Sequence, residues 1–319
     1  MIKLYHPGIF QGSLNKKNYF EGWYLKHVSE NLGHAFSLIP GIALNSKEPH
    51  SFVQYINGIT AETHYFQFPL AAFKWDKEKF AIEIDGNHFS QDGLDVHLED
   101  GSFSVLGSAT YTDSIPYPST MFSPGIMGWY SFVPFMECKH GVISLNHKIR
   151  GDFNINGSPI RLDNGNGYIE KDWGSSFPEA WIWLQCNNFS IPQTCLMFSV
   201  AKIPWLGKFF MGFISFLYYR GELILFSTYN KSRLLKAQRA DNLLIVSMQN
   251  KDYSLEITAT AQGGGILKAP QAGLMERHIK ESIDAEVTIL LKDKQGRPIF
   301  SDSGKRAGLE VMEGIFKYL

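Results

Sequence analysis

The sequence predicts an almost entirely β-stranded protein with an aromatic-lined pocket. Apolar and polar residues alternate in short runs, turn-forming residues separate these runs, and helical periodicity is scarce. Aromatic residues make up 14% of the 319 residues, which exceeds what simple core filling needs. Many short strands with Gly-rich turns commonly close their edges in barrels or sandwiches, and a barrel can hold one small ligand.

The clearest strand signal lies in residues 80–106. Alternating runs at 80–84 and 94–98 are separated by turn residues, at the spacing of an antiparallel meander. In the carboxyl half, the patterns at 243–261 and 287–300 predict two hairpins.

Two segments, 231–240 and 274–282, have the composition of short helices, although neither sustains apolar residues at helical spacing. The turn-rich stretch at 156–167 favours a domain boundary, although a hairpin would give the same pattern. We therefore expect an amino-terminal β-domain at 1–160 and a carboxyl-terminal β-domain at 161–319.

Charge and composition exclude several classes of function. The 30 basic and 31 acidic residues leave a net charge of −1, which provides no field to attract nucleic acid. The apolar stretch 209–219 is shorter than the ~20 residues that span a bilayer, so it predicts a buried strand or an interfacial patch, which allows transient contact with a membrane surface. The amino terminus lacks a signal-peptide pattern, and three cysteines, an odd number without metal-ligand spacing, fit a reducing compartment, so we expect a cytoplasmic protein.

Two segments, 18–26 and 167–187, place charges among aromatic residues. If 167–174 is a strand, Tyr168, Glu170 and Asp172 share one face, with the carboxylates ~7 Å apart. Close carboxylates in an apolar wall repel each other, so one of them can stay protonated near neutral pH and act as a general acid.

The same periodicity places Lys171 and Trp173 on the opposite face of that strand. On the next strand, Trp181, Trp183 and Gln185 share one face. Indole faces stabilise a cation by ~2 kcal/mol where water is excluded. The alternative interpretation is structural: charges that pair at a strand edge, a Glu21–Lys26 ion pair, and indoles that pack in the core.

Other kinds of chemistry lack their sequence signals. The ten histidines include no metal-binding motif, no serine elbow is present, and no glycine-rich phosphate loop opens a helix. We therefore expect neither a metal nor a nucleotide cofactor, and no nucleophilic catalysis.

The sequence resembles the tocopherol cyclase family in three segments, 18–26, 128–141 and 167–187. The resemblance implies two lipocalin-like β-domains related to carotenoid hydratases. It also implies an enzyme of the intramolecular lyase or isomerase type that closes a prenylated hydroquinone, or a similar hydrophobic isoprenoid, to a chromanol without a cofactor. Such a reaction protonates an alkene and captures the resulting carbocation with a phenol oxygen.

With this resemblance, we expect Asp172 or Glu170 to donate the proton, with Glu21 as the third candidate. The expected aromatic walls and substrate-orienting groups are Trp23, Tyr24, Lys26, His140, Lys171, Trp173, Trp181, Trp183, Gln185 and Asn187. Two competing functions would produce the same sequence features: a non-catalytic lipid or prenylquinone carrier, and a carotenoid-type hydratase in which water captures the cation.

Overall fold

The all-β prediction is confirmed by the computed structural model, which describes residues 2–261 and 263–319. Within these residues the chain forms strands and short 3-10 helices, and none of the described helices is long and apolar enough to cross a membrane. The strands are β1 (Tyr19–Val28), β2 (Ala35–Leu44), β3 (His50–Asn57), β4 (Thr63–Pro69), β5 (Phe73–Trp75), β6 (Ala81–Ile84), β7 (Asn87–Ser90), β8 (Gly93–Glu99), β9 (Ser104–Pro116), β10 (Cys138–Ile155), β11 (Ser158–Arg161), β12 (Gly165–Gly174), β13 (Trp181–Cys186), β14 (Cys195–Trp205), β15 (Lys208–Tyr219), β16 (Glu222–Ser227), β17 (Arg233–Ala240), β18 (Leu243–Gln249), β19 (Tyr253–Thr260), β20 (Gly265–Gln271), β21 (Leu274–Asp293) and β22 (Pro298–Val311). The 3-10 helices span Ile2–Tyr5, Leu70–Ala72, Gly128–Phe132, Thr228–Asn230 and Glu313–Lys317.

The chain forms two compact units. The first consists of Met1–Phe177 and Leu267–His278. Its 12-stranded, barrel-like sheet has the order β4-β3-β2-β1-β12-β10-β9-β8-β7-β6-β5, with β11 paired to β10. Gln54 fixes the separate segment to the sheet, because its side chain donates to the Lys268 carbonyl and accepts from the Lys268 N–H.

The second unit consists of Pro178–Ile266 and Ile279–Leu319. The second sheet has ten strands in the order β16-β15-β14-β13-β22-β21-β19-β18-β17, with β20 paired to β21. The core of this unit includes Ile182, Leu184 and Cys186, which come from alternate positions of β13. Every second side chain of this strand therefore points into the core, as strand periodicity requires.

The predicted meander and both predicted hairpins are present. Residues 80–106 contain β6 to β8 and the start of β9, paired in sequence order, while β18 pairs with β19 and β21 with β22. The turn-rich stretch 156–167 connects β10, β11 and β12 within the first unit, which extends to Phe177. The first turn in that stretch is a hairpin connection between β10 and β11, whereas β11 and β12 both pair with β10.

The two segments with helix-like composition are strands. Residues 233–240 form β17, whose backbone pairs with β18, and residues 274–282 lie within the 20-residue strand β21. Sheet pairing satisfies their backbone N–H and C=O groups, and this tertiary context overrides the weak helical propensity of the sequence.

Two neutral histidines lie inside the first unit on either side of a glycine. Gly167 of β12 is the register partner of His27 on β1 and of His147 on β10. The His27 Nε2 is 2.6 Å from the Tyr111 hydroxyl, and the His147 Nδ1 is 3.0 Å from the Ser144 hydroxyl. A Cβ at position 167 would lie 2.1 Å from the His147 Nε2, so the site requires glycine. Burial lowers the pKa of each histidine to about 3.

These pKa values predict acid sensitivity of folding. Both histidines are neutral in the folded protein but bind protons when unfolded. The stability that depends on their neutral form is therefore fully present above about pH 6.5 and is lost as pH falls towards about 3. His147→Asn should therefore reduce the pH dependence of the unfolding free energy by about 1.4 kcal/mol per pH unit in that window. Urea unfolding at a series of pH values measures this slope, and an identical slope in both proteins would contradict it.

Candidate functional site

Strand β12 carries charged side chains on both of its faces, as the period-two pattern predicts. Lys171 and Trp173 point toward the core of the first unit, while Tyr168, Glu170 and Asp172 point to the other side. This division creates two separate polar clusters, one inside the core and one on the non-core face.

The inner cluster is a fully buried ion pair between Lys171 and Glu21. The Nζ of Lys171 is 2.5 Å from Glu21 Oε1, and both side chains have 0% exposure. Glu21 also accepts bonds from the backbone N–H groups of Gln11 and Gly12 and from the Tyr19 hydroxyl, while Lys171 donates to the Ile9 carbonyl. Burial lowers the pKa of Lys171 to about 8, and Glu21 opposes part of this shift.

The Glu21–Lys26 ion pair of the alternative, structural interpretation is not formed, since Glu21 pairs with Lys171. Positions 21 and 26 are five apart on β1, so their side chains point to opposite faces of the strand.

Two of the predicted indole walls surround this buried lysine. The Nζ of Lys171 lies 4.8 Å from the ring centre of Trp23 and 4.9 Å from that of Trp173. Trp23 has 0% exposure, donates to the Gly8 carbonyl and stacks on Phe80. These indoles therefore stabilise a cation, and that cation is an ammonium group of the protein itself.

The second cluster brings together three residues proposed from the sequence. His140 lies between two carboxylates: its Nδ1 is 2.9 Å from Asp172 Oδ1 and its Nε2 is 3.5 Å from Glu170 Oε2. The Tyr168 hydroxyl donates to Glu170 Oε2 over 2.6 Å. Glu170 is buried, whereas the Asp172 side chain is 26% exposed, so Asp172 is the more accessible of the two acids.

The electrostatics of this cluster favour a charged imidazole. Burial opposes protonation of His140, but Asp172 and Glu170 together outweigh it and raise the pKa of His140 to about 9. The cluster therefore contains two carboxyl groups and an imidazolium in mutual contact. Such a group of coupled acids can hold and exchange a proton.

The same three residues could hold a metal ion, because each offers a ligand atom within 4.8 Å of the others. Histidine and carboxylate ligands suit several divalent metals. The His140–Asp172 hydrogen bond already uses one atom from each of these two residues, so a metal would have to replace it.

Other residues of this non-core face are polar and buried. Tyr24 is the register partner of Glu170, and Lys26 is the register partner of both Tyr168 and Ser37. Ser37 is fully buried, and its hydroxyl has no hydrogen-bond partner among the described residues. Sequence reasoning did not identify Ser37, because a single serine within an apolar strand gives no recognisable signal.

The second unit places Trp181, Trp183 and Gln185 on one face of β13, as predicted, and this face points away from the core of the unit. The Gln185 side chain donates to Asn187, and the Trp181 indole donates to Glu310 over 2.6 Å. Glu310 is directly opposite Glu281 on the neighbouring strand, and Glu281 is only 1% exposed. Sequence reasoning missed this second carboxylate pair, because its members are 29 positions apart and only the sheet register brings them together.

A cleft of about 420 Å³ lies in the first unit near its amino terminus. It is lined by Lys3, Gly12, Ser13, Leu14, Asn15, Trp75 and Lys77. The aromatic residue that lines this cleft is Trp75. Trp23 and Trp173, which were expected to line the substrate pocket, are not among its lining residues.

Two antiparallel sheets in one chain, the first of them barrel-like, define an all-β protein of the lipocalin-like class. A putative AttH from Nitrosomonas europaea has a similar fold, with a TM-score of 0.52 and 13% identity over 91% of this chain and 92% of that chain. The structure of CghA gives a TM-score of 0.56 and 10% identity over 92% of this chain and 88% of that chain.

The chain belongs to the tocopherol cyclase-like family, whose model matches residues 108–313. The chloroplastic tocopherol cyclase of Zea mays is 27% identical over 201 residues, which is 59% of this chain and 42% of the maize protein. A probable chloroplastic tocopherol cyclase of Oryza sativa subsp. japonica is 26% identical over 199 residues, with the same two coverages. The matched region thus spans less than half of either plant protein.

Breaking the buried ion pair should destabilise the fold. Lys171→Met leaves the Glu21 carboxylate buried without its partner, which should cost about 3–5 kcal/mol of unfolding free energy. Lys171→Met combined with Glu21→Gln should recover part of this loss. Lys202→Met is the matched control, because the Glu179 side chain in that pair is 64% exposed and such surface pairs contribute at most about 1 kcal/mol. Urea unfolding measures both changes, and equal losses of unfolding free energy in Lys171→Met and Lys202→Met would contradict the prediction.

The pKa of His140 should depend on Asp172. Proton NMR of the imidazole should give a pKa of about 9 in the wild type and a lower value in Asp172→Asn, which removes one carboxylate charge. An unchanged pKa of His140 in Asp172→Asn would show that the Asp172 carboxylate does not control this pKa.

Proposed function

We propose that this protein catalyses the acid-dependent, cofactor-independent cyclisation of a prenylated hydroquinone, or a similar hydrophobic isoprenoid, to a chromanol. The observation that carries the proposal is the position of His140 between two carboxyl groups on the non-core face of β12. Family membership supports the substrate class, because the curated plant relatives are named tocopherol cyclases.

In the proposed reaction, Asp172 is the proton donor, because it is the more accessible carboxyl group of the cluster. Glu170 is the alternative donor. His140 and the hydroxyl of Tyr168 hold the two carboxyl groups in place through hydrogen bonds. We do not retain Glu21 as a donor, because it is fully buried against Lys171 and its oxygens accept several other hydrogen bonds.

The chemistry requires one proton transfer and one ring closure. Asp172 passes the proton that it shares with the His140 imidazolium to the trisubstituted alkene, a new C–H bond forms, and a tertiary carbocation results. The phenol oxygen of the same molecule then attacks the cation, and its proton returns to the carboxylate. No electrons are gained or lost overall, so the reaction is an isomerisation that needs no redox partner.

Other candidate residues support substrate binding in this proposal. On the first unit, Tyr24 and Lys26 share the face of Glu170 and could orient the phenol. On the second unit, the indoles of Trp181 and Trp183, together with Gln185 and Asn187, remain candidate substrate contacts. In this proposal Trp23, Trp173 and Lys171 stabilise the core of the first unit and do not contact the substrate, because Lys171 lies against both indoles.

The test is cyclisation of a prenylated hydroquinone in heavy water. The chromanol should carry deuterium at the carbon that received the proton, because solvent is the source of the catalytic hydrogen. Asp172→Asn keeps the shape of the side chain but removes the acid, so turnover should fall at least ~10²-fold while substrate binding is retained. Glu170→Gln tests whether Glu170 also takes part in the proton transfer. If the two carboxyl groups share the proton, both variants should lose turnover.

Two further arms separate the alternatives. Dialysis against EDTA should leave turnover unchanged, whereas loss of turnover with recovery on adding a divalent metal would favour a metal at His140, Glu170 and Asp172. Tight binding of several quinols with no deuterium incorporation over hours would replace the cyclase proposal with a lipid carrier. Incorporation of water oxygen into the product would instead indicate a hydratase.

A further inference from the structure

The segment between β9 and β10, residues 117–137, exposes an unusual set of apolar side chains. We call it the aromatic segment. Phe135 is 100% exposed, Phe122 is 76% exposed and Met121 is 73% exposed. Trp129 and Phe132 are each about half exposed. Large apolar side chains are rarely so concentrated on the free surface of a protein, and such groups usually mark a binding surface.

The aromatic segment is held in place by specific contacts. Ile126 and Met127 are buried, and the Met127 sulfur accepts the backbone N–H of His140 over 3.1 Å. The Lys139 Nζ donates to the Ser131 carbonyl, and the Tyr5 hydroxyl donates to the Met121 carbonyl. The exposed aromatic residues are therefore displayed from an anchored loop that leads directly into the His140 cluster.

Positive charges accompany the exposed aromatic residues. Lys139 contacts the segment, and its pKa is lowered mainly by burial and also by the nearby charge of Lys16. Lys3 lies in the same short 3-10 helix as Tyr5. Glu137 is the one charged side chain within residues 117–137. Three lysines and one acidic residue therefore accompany the segment, although the whole chain has a net charge of −1.

We propose that the aromatic segment docks the protein onto the surface of an anionic lipid bilayer. Aromatic side chains on an ordered loop suit the boundary between headgroups and acyl chains, where Trp and Tyr are enriched in membrane proteins. Lysines beside them complement anionic headgroups. Docking would hold the loop that leads to His140 next to a reservoir of hydrophobic molecules. This inference does not depend on the proposed reaction, because it concerns binding to lipid alone.

The experiment is co-sedimentation of the full chain with two kinds of vesicle, phosphatidylcholine alone and phosphatidylcholine mixed with phosphatidylglycerol. The wild type should bind the anionic vesicles more tightly, and added salt should weaken that binding. Phe122→Ser combined with Phe135→Ser should reduce affinity for the anionic vesicles at least ~10-fold, because two apolar side chains no longer enter the bilayer. Lys16→Gln should reduce it about fivefold.

Matched controls come from the second unit. Ile299 is 47% exposed and Lys294 is exposed, so Ile299→Ser and Lys294→Gln test whether loss of any surface apolar group or charge weakens binding. Neither control should change vesicle affinity. All five altered side chains are at the surface, and unchanged unfolding midpoints would show that the variants fold.

Three results would overturn the proposal. The first is absence of binding to either kind of vesicle, and the second is binding that the Phe122 and Phe135 substitutions do not change. The third is self-association of the wild type that these substitutions abolish, with no vesicle binding, because a second copy of the chain would then be the partner. Assay of quinol cyclisation in detergent is independent of all three, so failure of docking and failure of the proposed reaction can be told apart.

Discussion

The Lys171–Glu21 ion pair is the interaction on which the arrangement of the first unit depends. It joins β12 to β1 inside the core, and through the Ile9 carbonyl and the Gln11 and Gly12 N–H groups it also fixes the chain that precedes β1. Burial of two charges is costly, and only complete pairing and hydrogen bonding offset that cost. Every donor and acceptor around the pair must therefore stay in place, which fixes the register of β12 against β1.

That register determines the positions of the groups on the other face of the same strand. Because successive side chains alternate, fixing Lys171 toward the core fixes Glu170 and Asp172 on the opposite side. His140 comes from β10, the strand on the other side of β12, and the pairing of its position with Asp172 brings the imidazole between the carboxyl groups. The core pair thus supports the geometry of the candidate site without taking part in its chemistry.

The sequence predicted those features that depend on neighbouring residues. Alternation along β12 and β13 assigned the faces of Glu170, Lys171, Trp181 and Trp183 correctly, because strand periodicity is a local property. Long-range partners were not predictable in this way. Glu21 meets a lysine 150 positions away rather than Lys26, and the Glu281–Glu310 pair arises only from sheet register. Likewise, the helix-like composition of 231–240 could not reveal that β18 would take up its backbone hydrogen bonds.

The glycine between the two buried histidines has a consequence for how this protein can vary. The His147 ring occupies the space above position 167, so no side chain fits there while that ring is present. A Gly167→Ala change would be harmful alone but could be accommodated after His147 is replaced by a smaller residue. The two positions are therefore epistatic: the order in which substitutions arise decides which of them are tolerated, and related chains that differ at one position should differ at the other.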